Sequence, residues 1–329
     1  MTIYKSMNFP VYDEMQERYK DKADLISSYS KGGLNGLEII MAGDRDENLI
    51  TPDMVNGVHL FFHSFWMDFW LGNHDRLDKI FDSRQQWIEY YGGMEKEAYL
   101  KAIEKDLDYA HDIGAKYVVF HVSEVTPEET MTYKSIYSDD EVIEAALEVI
   151  NSVLKDKPYT FDFLVENLWW AGFNLKHPEM TKRLLNGIEY PRKGILIDTG
   201  HAMNNNWDIK TPEEGVKYIH GLLDCHEREG VDITTWIKGM HLHMSLGGDS
   251  ARRKAEEGCD YSATPFYEQF RLSYAHAREI DQHIPFIAEG IKELVERINP
   301  DYLTMEFQPD TREEYEEYIE RQAKALGYI

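Results

Sequence analysis

The stretch GILIDTGHAMNNNWDIKTPEE (194–214) decides how this chain is read. It opens as a short apolar run of strand type, ends that run on the carboxylate of Asp198, and sets an imidazole, His201, just beyond it. Thr211, Pro212 and Glu214 then give a cap, a proline at the first helical position and a glutamate three residues after the cap, which together start a helix. Five other runs repeat the first half of this pattern: VHLFFH ending at His63, YVVFH at His121, FLVE at Glu166, GMHLH carrying His241 and His243, and YLTME at Glu306. Any one of these taken alone reads as a capping carboxylate or a satisfied core histidine. Six of them together need six coincidences. Strand ends converge in space only in a barrel or a parallel sheet, and parallel β/α folds keep their chemistry at that end.

Strand-like runs fall at 3–9, 36–40, 57–63, 116–121, 160–166, 194–198, 239–243 and 302–307. Amphipathic stretches at 96–114, 139–155, 211–230 and 311–328 lie among them, as in KEAYLKAIEKDLDYAHDIG, whose Leu100, Ile103, Leu107 and Ala110 recur at helical spacing. Strands alternating with helices, with no Gly/Pro/Ser-rich linker between them, predict an α/β chain that is one (β/α)8 barrel domain over 1–329. Two stretches exceed ordinary loop length, 64–95 and 245–282, and are expected to be functional insertions.

Composition narrows the function. The formal charge of −25 disfavours broad adhesion to nucleic acid, abasic DNA included, or to an anionic membrane, since both attract Lys/Arg surfaces. Cys225 and Cys259 make neither a disulfide framework nor a CxxC pair. The opening MTIYKSMNFP is not of signal type and no run approaches membrane-spanning length, so the cytoplasm is the expected compartment.

Residues two apart share a strand face, which puts Glu306 with Thr304 and Tyr302, His121 with Val119 and Tyr117, and Asp198 with Leu196. Each candidate ligand is thus the last inward-facing residue at the rim. Asp281 and His283 add a DxH pair in the second insertion. Imidazoles and carboxylates without thiolates suit divalent ions such as Zn, Mn, Co or Mg, and more than four ligands imply more than one ion. Two or three such ions sharing a carboxylate are the usual machinery for hydrolysing a phosphoester.

GLEII, FHSFWMDFWLG, VVFHVS, LVENLWWAG, GILIDTGHAMNNNWDIKTPEE, KGMHLH and DQHIPFIAEG, in this order from about residue 36 to 307, together resemble the xylose-isomerase-like TIM barrels, and among them the endonuclease IV branch of AP endonuclease family 2. The resemblance implies a site of two or three zinc ions and phosphoester hydrolysis. His63 and His121 would hold one metal with Glu166, which bridges to a second held by Asp198, His241 and Glu306, while His201, Asp281 and His283 hold a third. Asp249 is an alternative to Asp281. The superfamily's sugar isomerases and epimerases imply a second reading, in which Glu166, Asp198, His241 and Glu306 surround one metal and Glu166 and Glu306 shuttle a proton. The chain departs from the endonuclease pattern at Leu168-Trp169-Trp170 and at Leu242-His243-Met244.

His243 shares a face with His241 and is expected to be catalytic alongside Glu166 and Glu306. Trp66 and Trp70, with Phe65 and Phe69, follow His63, and Trp169 and Trp170 follow Glu166. Their rings either stack on a sugar or nucleotide or pack the long loops against the barrel. Arg252, Arg253 and Lys254 read as a solvated helix face, and His59 and His111 as structural.

Overall fold

Parallel pairing of each strand with its neighbours in sequence, and of the last with the first, closes a barrel in the computed structural model, which describes residues 3–329. The strands are β1 (Tyr4–Pro10), β2 (Gly36–Ile40), β3 (Val55–His59), β4 (Tyr117–His121), β5 (Asp162–Glu166), β6 (Lys193–Asp198), β7 (Ile237–Leu242) and β8 (Tyr302–Met305). With helices on the outside this is the (β/α)8 barrel that the alternating pattern predicts.

The helices form where capping and periodicity ask for them. Lys96–Asp112 buries Tyr99, Ile103, Leu107 and Ala110 on one face. Asp139–Leu154 and Pro212–Arg228 each start on a full capping box, Ser138 with Glu141 and Thr211 with Glu214. Inside the barrel, Tyr117, Val119, Leu164, Leu196 and Tyr302 fill the layer beneath the rim.

Both long insertions contain helices. Residues 64–95 fold into Met67–Trp70, His74–Ile80 and Arg84–Tyr91, and the second insertion holds Gly248–Glu257 and Phe266–Ile280. No helix of the described residues is long and apolar enough to cross a membrane.

One strand differs from its sequence reading. β3 ends at His59, not at His63. The last backbone bond towards β4 is Leu60 N–H to the Val119 carbonyl, at 3.1 Å, after which the chain turns outward and leaves Phe61 53% exposed.

Candidate metal centre

Glu166, at the end of β5, is fully buried and organises the rim. Its Oε2 faces His121 Nε2 at 2.7 Å and His59 Nε2 at 3.3 Å. Its Oε1 faces His241 Nδ1 at 3.1 Å and His201 Nδ1 at 3.3 Å. His241 Nδ1 in turn lies 3.0 Å from Glu306 Oε2 and 3.7 Å from Asp198 Oδ2. A third group adjoins these, with Asp281 Oδ2 3.2 Å from His201 Nε2 and 3.3 Å from His283 Nδ1.

Local structure aims each of these side chains. Asn167 locks β5 to β6 by accepting from Asp198 N–H at 2.9 Å and donating to the Asp198 carbonyl at 3.1 Å. The Asp198 carboxylate caps the short helix Thr199–Asn204 through His201 N–H, so His201 is carried just past the strand. Forty residues separate His241 from Asp281. The two insertion helices occupy that span, and an antiparallel bridge returns the chain, with Met244 N–H donating to the Ile284 carbonyl at 2.8 Å. Ser245 Oγ then donates to Asp281 at 2.9 Å, and His283 takes a left-handed backbone, φ 46°, that turns its ring inward.

The electrostatics are those of interlocked opposite charges. Burial alone would raise the Glu166 carboxyl, but His121 and His241 outweigh it and hold it well below the usual range. Glu306 is lowered in the same way against its burial by His241 and His283, and Asp198 by His201 and His243. Burial would lower His283, yet Asp281 and Glu306 bring it up to about 9. In His121 the burial wins and the imidazole is pushed down.

These residues fit a divalent metal on grounds of geometry as well as composition. Both ring nitrogens of His121, Oε2 of Glu166 and Oε2 of Glu306 are buried without a hydrogen-bond partner among the described residues. His121 Nε2 and Glu166 Oε2 approach to 2.7 Å without hydrogen-bond alignment, as lone pairs directed at a common point do. An unsatisfied buried polar group costs about 1–3 kcal/mol, so several in one place call for a shared cation. The donors are nitrogen and oxygen only, which zinc, manganese and related ions accept.

Of the residues expected from the sequence, His121, Glu166, Asp198, His201, His241, Asp281, His283 and Glu306 come together here. His63 does not: β3 has already ended, and its ring packs edge-on against Phe61, Tyr90 and Tyr99. His59, read as structural, stands in its place. Asp249 is exposed and paired with Lys210, and so does not replace Asp281. His243 is fully buried rather than open to a substrate: Nε2 meets Asp198 Oδ2 at 2.8 Å, and its ring stacks on His283 at 4.0 Å. Its ring also occupies the space a Cβ at Gly200 would fill.

Trp66 donates from Nε1 to the Ser123 carbonyl, and Trp70 to Glu148, so both pack the first insertion onto the barrel. Trp169 lies 5.1 Å from the His201 ring, whereas Trp170 packs one layer out against Tyr133. Arg252, Arg253 and Lys254 are each engaged by a carboxylate.

Glu38 was not anticipated. It is fully buried on β2, and Oε1 faces His241 Nε2 at 2.8 Å while Oε2 accepts from Tyr117 and Thr304 at 2.6 and 2.9 Å. A carboxylate on the far nitrogen leaves His241 Nδ1 directed at Glu166 and Glu306. A lone glutamate inside the apolar run GLEII was the available signal, since a buried charge demands a partner.

Against known proteins, the model of the family described as xylose isomerase-like TIM barrel matches residues 92–326. No curated protein sequence matches the chain. Among solved structures, AsfvAP:AG superposes with a TM-score of 0.53 at 12% identity, covering 99% of this chain and 98% of that one. A D-tagatose 3-epimerase-like protein superposes with a TM-score of 0.51 at 12% identity, covering 99% of both. At such identity these two likenesses carry the fold alone.

Proposed function

Because this chain belongs to the xylose isomerase-like TIM barrel family, we propose that its rim cluster binds two or three divalent metal ions and that the protein is a metal-dependent phosphoester hydrolase. The observation that carries this reading is the number of buried ligands sharing one carboxylate. His59 and His121 meet Glu166 on one side, and Asp198, His241 and Glu306 on the other, while His201, His243, Asp281 and His283 form the adjoining group. A one-metal site needs four ligands, so the remaining histidines would be buried among carboxylates without purpose.

Ions held there lower the pKa of water and neutralise charge developing on phosphoryl oxygens. The chain's own residues do the positioning. Glu166 spans the His59/His121 and His201/His241 pairs through its two oxygens. Glu38 holds His241 by Nε2, and His243 holds Asp198 by Oδ2. Glu38 is a positioning residue, and His243 positions Asp198 from within the adjoining group. The Trp169 ring beside His201 limits water at the third group and offers a face to a bound ring.

One observation favours a second reading as a sugar isomerase or epimerase. Glu166 and Glu306 flank the same His241 nitrogen at 3.1 and 3.0 Å, an acid/base pair with Asp198 beside it. Metal content per chain separates the two in protein purified without chelator or added metal. Two or three ions, with His201→Ala and His59→Ala each losing one ion and turnover of bis-p-nitrophenyl phosphate, support the hydrolase. A single ion that survives both substitutions sinks it and directs assays to ketoses.

A further inference from the structure

Beside the cluster, at the same end of the barrel, a cavity of about 470 Å³ opens between the ends of β1, β2 and β8 and the insertion helix Phe266–Ile280. That volume lies within the range of roughly 300–1,000 Å³ common to small-molecule sites. Its walls include Asn8 and Phe307 from the barrel, Tyr12 and Arg18 from the segment after β1, and Tyr274 and Arg278 from the helix. The cavity is tied to the candidate metal centre by the chain itself. Phe307 directly follows Glu306, and Asn8 bonds both its N–H (2.9 Å) and its carbonyl (3.2 Å). Arg278 stands three residues before Asp281.

Charge singles out this cavity. The chain carries 60 acidic residues against 35 basic ones, so arginines readily find carboxylates. Only Arg18, Arg228 and Arg278 have none within 4 Å among the described residues. Two of these three line the cavity. Arg18 donates at 3.0 Å to the backbone carbonyl of Asp310, whose carboxylate is the single acidic side chain on the wall. Beside Arg278, Tyr274 is 56% exposed and lies parallel to the Phe270 ring, with centroids 6.4 Å apart. Free guanidinium groups next to an exposed aromatic face are the chemistry that takes a phosphate carried on a planar ring.

We propose that this cavity is the subsite for the non-reacting part of the substrate, and that the substrate is a small, ring-bearing organic phosphate with a second phosphate group. The proposal rests on the hydrolase reading, in which the reacting phosphoester sits at the metal cluster. Arg278 and Arg18 engage the second phosphate, and Tyr274 with Tyr12 faces the ring. Two free arginines in a chain of net charge −25 suit a small molecule, whereas a polymer needs an extended basic track.

Calorimetric titration of the metal-loaded full chain with thymidine 5′-monophosphate and thymidine 3′,5′-bisphosphate tests it. The wild type should bind the bisphosphate about tenfold or more tightly than the monophosphate. Arg278→Ala should remove that advantage while leaving monophosphate affinity within about twofold, which also shows that the variant is folded. Equal binding of the two probes by the wild type, or an advantage that persists in both Arg278→Ala and Arg18→Ala, overturns the subsite. Turnover of bis-p-nitrophenyl phosphate judges the hydrolase reading separately. A bisphosphate advantage without turnover leaves the subsite standing and removes the reaction, and turnover without the advantage does the reverse.

Discussion

Burial without a charged partner sets the His63 imidazole apart from the rim histidines and pushes it down to about 4. The unfolded chain titrates near 6.5, so it takes up the proton first as the pH falls. Full stability from this group is therefore present above about pH 6.5 and is lost between there and about pH 4, by on the order of 3 kcal/mol. His63→Phe should flatten that limb in a plot of urea midpoint against pH. A limb of unchanged depth would show that His63 does not set it. Glu38 makes the complementary case, because its value lies in what it does to His241. Glu38→Gln should weaken metal affinity about 10–100-fold, read by competition with a chromophoric chelator. Unchanged affinity would reduce Glu38 to a packing role. Six of the rim residues were legible from the sequence because each terminates or closely follows an apolar run, and Asp281 and His283 because they form a DxH pair. His59 was not, since in VHLFFH it shares a strand face with His63 and nothing in the alternation marks where pairing stops.

At the scale of elements, β3 and β4 meet where Gly57 lies against the Tyr117 ring, and a Cβ there would fall 2.2 Å from the ring. Tyr117 is fully buried and carries the Glu38 hydrogen bond on its hydroxyl, so barrel packing and site geometry share this residue. Gly57→Ala should therefore cost about 1–3 kcal/mol in urea unfolding and, through Tyr117 and Glu38, lower metal affinity as well. A stable variant with intact affinity would show that the barrel interior yields at this layer. Element order was readable because strand runs and capped helices alternate cleanly. The closure of the second insertion was not. The long gap between His241 and Asp281 makes that pairing look remote, and the Met244–Ile284 bridge that shortens it is a backbone contact without a sequence pattern.

For the molecule as a whole, the barrel gathers Glu38, Glu166, Asp198, Asp281 and Glu306 at one end, all buried, in a chain already far on the acidic side. Histidines offset these charges, but several ligand atoms still lack partners among the described residues. Cations bound by the folded chain and not by the unfolded one stabilise it by mass action, about 4 kcal/mol when free metal exceeds the dissociation constant a thousandfold. For a domain of this size that corresponds to a Tm difference of roughly 6 °C. Stripping metal with a chelator should lower Tm by that order, zinc or manganese should restore it, and His59→Ala with His201→Ala should shrink the difference. If elemental analysis confirms the loss of metal while Tm stays put, the histidine–carboxylate lattice stabilises the rim unaided. The buried ligands would then be explained by folding alone, and the main support for a multinuclear centre would fall away.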